Sequence, residues 1–115
     1  MNSSLGTQKD VCRRFGATFL QCDESLKVGI GKTFDPLQFP INGLRHTPSA
    51  DTTGWYIWSG QKYSEEPDFF VPLHAKHLHD RYPEIIRYLG LGPGWRFLIA
   101  PGHEDVWFDA NLLNV

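Results

Sequence analysis

The sequence predicts an α+β fold: a mainly antiparallel sheet with two or three helices packed on one face, in a single domain. Three observations predict it. Short alternating or aromatic apolar runs recur between turn residues, the signature of strands. Two proline-punctuated helical stretches sit together between Pro72 and Gly92. The chain then closes on two strand-like runs joined by Pro101-Gly102, as in a hairpin. At 115 residues it makes one domain, able to bury a core without disulfide staples.

The first ten residues are polar and are expected to fray, so the domain is read as residues 11–115. Val11 to Phe15 is a short helix. Ala17 to Cys22 reads as a strand, Asp23-Glu24-Ser25 as a turn, and Leu26 to Phe34 as the neighbouring strand. In that second strand Leu26, Val28 and Ile30 alternate with Lys27, Gly29 and Gly31. Residues 35–53, broken by Pro36, Pro40, Asn42-Gly43 and Pro48, read as a long irregular stretch of the kind that often carries function. Gly54 to Ser59, GWYIWS, is apolar on both faces. It suits a central strand, or a strand with one aromatic face left for a partner. Gln61 to Asp68 is an acidic loop. Pro72 to Asp80 reads as a helix with its proline in the first turn, and Pro83 opens a second, PEIIRYLG, closed by Gly90 or Gly92. Trp95 to Ile99 and Val106 to Phe108 complete the sheet.

Composition removes several function classes. Residues 1–50 carry six Lys/Arg against four Asp/Glu, and residues 51–115 carry five against nine. An acidic second half with no basic stripe argues against nucleic acid and suits an electropositive protein partner. No apolar run approaches the roughly 18 residues of a membrane span. MNSSLGTQKDVCRRFG lacks the apolar core of a signal peptide, so a cytosolic location is expected, with export by dedicated secretion machinery that reads other signals left open. Cys12 and Cys22, ten apart, form neither a C-x-x-C pair nor a disulfide framework, and free thiols are expected.

The fragments of catalytic or binding motifs fail on inspection. Gly31-Lys32-Thr33 ends like a phosphate-binding loop, but the first glycine of that loop would fall at Leu26, and Asp35-Pro36 follows where a helix should begin. His74 and His77 are three apart and would share a helix face able to meet a metal, whereas His79 lies on another side. No glutamate completes H-E-x-x-H. Neither cysteine sits at a strand-to-helix turn with a base beside it, and there is no G-x-S-x-G. The acids cluster at Glu65-Glu66-x-Asp68 and at Glu104-Asp105 with Asp109, in apparent surface turns rather than across a cleft. Within EEPDFF and EDVWFD they stand beside large aromatics, a combination that interfaces use: rings for desolvated anchor area, charges for encounter and register.

Gly54-Trp55 opening an aromatic strand, Ser59-Gly60 with acids following, PEIIRYLGLGPG, and GWRFLI leading to EDVWFD together resemble a bacterial toxin-immunity family, the immunity family thirty-three type, long catalogued as a domain of unknown function. The likeness runs from Ala17 to Asp109, including ATFLQC and KVGIGKTF. It departs at FDPLQFP, where the family carries a basic, arginine-bearing stretch. The resemblance implies a small, non-catalytic, cofactor-free protein that binds a cognate toxin enzyme and blocks its active site or substrate-docking surface. In some pathogens inhibitors of this kind instead antagonise a secreted effector, a ubiquitin-modifying enzyme being one target class. The expected contact residues are Trp55, Trp58, Glu65, Glu66, Asp68, Phe69, Glu104, Asp105 and Trp107, with half or more of the aromatics competing for core positions. Two alternatives stand beside this reading: a small metal- or ligand-binding domain or enzyme built on the His74/His77 helix, and a homodimer formed through the edge of the GWYIWS strand.

Overall fold

The computed structural model describes residues 4–60 and 69–114. One six-stranded sheet organises them: β1 (Lys27–Gly31), β2 (Ile41–Arg45), β3 (Thr52–Ser59), β4 (Phe70–His74), β5 (Trp95–Ala100) and β6 (His103–Phe108). The spatial order is β4-β1-β3-β2-β5-β6. Only β1 and β3 run parallel; every other neighbouring pair is antiparallel. Helices α1 (Ser4–Phe15) and α2 (Lys76–Arg81) and the 3-10 helix Pro83–Tyr88 cover one face. The fold is α+β, as the sequence predicts.

Alternation along each strand decides which side chains meet those helices. Val28 and Ile30 of β1, Ile41 of β2, Trp55 and Ile57 of β3 and Phe97 of β5 point to the helical side. There they pack on Val11 and Cys12 of α1, Leu78 of α2, and Ile85, Ile86, Tyr88 and Leu89. Helix α1 presents Gln8, Val11, Cys12 and Phe15 inward, at helical spacing, while Lys9, Asp10, Arg13 and Arg14 stay exposed. It ends at Gly16, whose φ of 70° suits the left-handed residue that closes many helices. The helix begins at Ser4 rather than Val11, because a buried glutamine takes one of its inward positions: Gln8 Nε2 donates to Ile86 O at 3.0 Å. An apolar pattern does not count that residue.

Other elements depart from expectation for identifiable reasons. Ala17 to Cys22 makes no strand; it touches its neighbour through the single bridge Phe19–Leu91, with Leu20 N–H bonded to Gly90 O. The supposedly irregular stretch contains β2, whose Ile41/Gly43/Arg45 and Asn42/Leu44 alternate between faces. Gly43 is required there, since a Cβ would lie 2.2 Å from the Phe97 ring. Pro72 lies in β4, not a helix, and α2 starts only after Ala75. The PEIIRY segment winds as a 3-10 helix. Strand β3 has β1 on one side and β2 on the other, so it has no free edge, and dimerisation through the edge of GWYIWS is closed. The acidic loop 61–68 lies outside the described residues.

The most unexpected core member is Arg45. It is 1% exposed, yet among the described residues no carboxylate pairs with it. Its guanidinium donates instead to the carbonyls of Thr53 (2.9 Å), Leu20 (2.8 Å), Leu91 (2.8 Å) and Leu89 (3.3 Å), and lies over the Trp55 ring at 5.6 Å. A planar fork of donors can satisfy several carbonyls at once, which an ammonium cannot match. Arg45 thus ties the irregular segment around Leu20 and the turn at Leu89–Leu91 to β2 and β3.

Candidate functional site

The helices leave the second face of the sheet largely uncovered, and this face holds the candidate site. Its character follows from β1. On that side β1 presents Lys27, Gly29 and Gly31, so two of its three positions carry no side chain. Rings from neighbouring strands lie over the gap: a Cβ on Gly29 would come 2.6 Å from Tyr56 Cδ1, and one on Gly31 would meet Trp58 Cβ at 3.1 Å and Phe69 at 3.4 Å. The glycines of KVGIGKTF therefore seat aromatics, and Gly31-Lys32-Thr33 is the end of a strand and a turn, not a phosphate loop.

Five rings form a connected set. Phe70 makes edge-on contacts with Tyr56 (centroids 5.1 Å), Trp58 (6.1 Å) and Phe69 (4.8 Å), and His46 meets Tyr56 at 5.5 Å. Edge-to-face pairs of this kind add stability beyond their buried area. Tyr56, Phe69 and Phe70 are half-buried. Beside them a groove of ≈ 280 Å³ runs between β4, β1 and β3, lined by Lys27, Gly29, Thr52, Tyr56, Phe70 and Pro72, with the Lys27–Asp51 ion pair (2.9 Å) at its rim.

A second cluster lies on the same face across β5 and β6. The Arg96 guanidinium sits 5.3 Å from the Trp107 ring and 3.3 Å from Asp109. Trp107 is 38% exposed, and His103 Nε2 lies 2.9 Å from Asp105. Between the clusters, the C-terminal 3-10 turn Ala110–Asn114 lays Leu112 against Leu44 and Trp58, and its Leu112 carbonyl bonds to His46 Nδ1 at 3.0 Å. From β4 to β6 the sheet spans about 24 Å at ~4.8 Å per strand. The two clusters are thus the two sides of one broad surface.

The residues expected from the sequence divide among these places. Phe69, Asp105 and Trp107 lie on the open face. Trp55 does not: it is 1% exposed on the helical side, its indole N–H donating to Leu89 O at 3.0 Å and its ring 5.5 Å from Phe97. Trp58 is on the open side but 4% exposed, covered by Leu112 and Phe70. Glu104 points to the helical side, where its carboxylate accepts from both Tyr88 Oη and Arg14. Burial, helped by that pairing with Glu104, raises the Tyr88 pKa. Glu65, Glu66 and Asp68 lie outside the described residues. Tyr56, Phe70, Arg96 and Leu98 belong to the open face and were not singled out from the sequence, although Arg96 and Leu98 alternate correctly with Trp95 and Phe97.

The histidines do not share one helix. His74 ends β4 and His77 lies in α2, their rings 6.2 Å apart. Among the described residues no group of three or more His, Cys, Asp or Glu could hold a metal ion. The cysteines are free and buried. Burial pushes the Cys22 thiol up to about 11, and raises that of Cys12, against the pull of the Arg45 charge. Both are poor nucleophiles near neutral pH, because the thiolate is the reactive form. Among the described residues no helix is long and apolar enough to cross a membrane.

A family model described as the Imm33-like domain matches residues 7–109, almost the whole sheet and its helices. No curated protein and no solved structure matches the chain.

Proposed function

The chain belongs to the Imm33-like domain family, and from that premise we infer that it is a non-catalytic immunity protein. It binds a cognate toxin or secreted effector enzyme and occludes that enzyme's active site or substrate-docking surface. The observation that carries the reading beyond the family is the uncovered sheet face. It combines half-buried rings (Tyr56, Phe69, Phe70), an exposed tryptophan (Trp107) and charged groups at the margin (Lys27, Arg96, Asp105). Such faces supply the desolvated anchors and polar rim of protein interfaces, and a six-stranded sheet offers room for a standard contact of about 800 Å² per partner. The acids Glu65, Glu66 and Asp68, joining β3 to β4 in the sequence, are proposed to steer encounter with an electropositive enzyme. A ubiquitin-modifying effector is one target class within this reading.

The test starts by isolating the partner from the native host, identifying it, and measuring inhibition of its reaction by the purified chain. Trp107→Ala and Tyr56→Ala should each weaken inhibition by about tenfold or more, the range of interface hot spots. Glu104→Gln, on the helical side, should leave it unchanged, and reversing Glu65 and Glu66 should slow association. Inhibition insensitive to both aromatic substitutions would remove the open face from the account.

A further inference from the structure

The two edges of the sheet are built differently, and the difference can be read from hydrogen-bond parity. In an antiparallel pair, alternate residues direct their backbone groups toward the partner strand and the rest direct them away. On β4, Ala75 N–H bonds to Leu26 O (2.8 Å), and Lys32 N–H bonds to Phe69 O (2.7 Å). Positions 69, 71, 73 and 75 therefore face β1, and Phe70, Pro72 and His74 face outward. A proline occupies the middle outward position, so the edge lacks its central donor, a known protection against strand addition.

Strand β6 has no such protection. Asp109 N–H bonds to Gly94 O (2.7 Å), and the two-residue turn Pro101-Gly102 closes on the pair Ala100–His103. His103, Asp105, Trp107 and Asp109 thus face β5. Glu104, Val106 and Phe108 direct their N–H and C=O groups to the free edge, in unbroken register and without proline or bulge. Among the described residues no hydrogen bond takes up those backbone groups. Beside this edge Phe108 is 48% exposed and Trp107 38%.

We propose that β6 pairs antiparallel with β6 of a second copy of this chain, about a two-fold axis at Val106. The register suits a second copy, because about that residue valine meets valine and each acid meets a ring. Val106 meets Val106 of the second copy, and Glu104 falls opposite its Phe108. Each outward N–H then finds an outward carbonyl. On the open face Asp105 falls opposite Trp107 of the second copy. No acid faces an acid directly, and like charges opposite each other are what would oppose such a pair. Glu104 is already held by Tyr88 and Arg14, and Asp105 by His103, which softens the remaining repulsion. Isologous contacts of this kind close as a dimer and do not propagate, since the other edge carries Pro72. The pairing joins two open faces into one continuous sheet and brings the two Trp107 clusters side by side. It is independent of what that face binds.

The test is sedimentation of the full chain from micromolar to near-millimolar concentration. A six-residue strand pair is a small contact, so a reversible monomer–dimer equilibrium is expected within that range. Val106→Pro removes the donor on the axis without touching a β5–β6 bond, and should leave a folded monomer by circular dichroism. Val106→Lys and Val106→Glu should each be monomeric, and an equal mixture of the two should restore the dimer. A wild-type chain that stays monomeric throughout overturns the proposal. So does a dimer that survives all three substitutions, or a mixture that fails to reassociate.

Discussion

Replacing Arg45 by methionine should cost this domain a large part of its stability. The side chain is 1% exposed and donates to four carbonyls. Methionine fills a similar volume but donates nothing. The Leu89 carbonyl keeps the Trp55 indole, 3.0 Å away, but those of Leu20, Leu91 and Thr53 lose the guanidinium. A buried acceptor left without a donor costs about 1–3 kcal/mol. Against this stands the recovered cost of holding a cation away from water; burial already pulls the Arg45 pKa down. The balance is a loss of about 3–5 kcal/mol, out of the 5–15 kcal/mol typical of a single domain. Urea unfolding followed by tryptophan fluorescence would measure it, with an unchanged denaturant slope confirming that the same surface unfolds. Arg45→Lys should fall between wild type and Arg45→Met, because one ammonium cannot reach all four carbonyls. A loss below about 1 kcal/mol for Arg45→Met would show that water satisfies those carbonyls equally well, and would refute the reasoning.

Two further outcomes follow from the core. The Cys22 thiol, raised from 9.0 to about 11, holds its proton more tightly in the folded chain than in the unfolded one. Its contribution is fully present below pH 9 and is lost as pH rises toward 11, an alkaline destabilisation of about 2–3 kcal/mol that Cys22→Ala should remove from a stability–pH profile. Cys12 and Tyr88, also raised, act with the same sign, so the substitution flattens the alkaline limb only in part. Gly43→Ala would drive a methyl into the Phe97 ring, which stacks on Tyr88 at 4.8 Å. It should lower stability by about 1–3 kcal/mol, partly recovered by adding Phe97→Leu; thermal denaturation of both variants would check it.

The strands with strong alternation or aromatic runs, β1, β3, β5 and β6, were legible because their periodicity is local. Strand β2 was not: Pro40, Asn42 and Gly43 look like loop punctuation, and the glycine is there to admit a ring from β5, a constraint that exists only in three dimensions. Pro72 misled in the opposite sense, since an edge strand accepts proline wherever its nitrogen faces outward. Family membership was readable in the sequence. Which aromatics are covered was not. Trp55 and Trp107 both sit in strands, and the placement of helices on one face separates the core tryptophan from the exposed one. Arg45 was invisible for a similar reason: a buried cation satisfied by carbonyls leaves no partner residue in the sequence.

The account rests on the open sheet face as the place where another protein is bound. Hydroxyl-radical footprinting of the chain, alone and in complex with the isolated enzyme, tests this most directly. The account predicts that oxidation falls at Tyr56, Phe69, Phe70 and Trp107 while Arg13, Arg14 and Glu84 on the helical side react as before. Protection confined to the helical side, with Trp107 oxidised equally in both states, would contradict it.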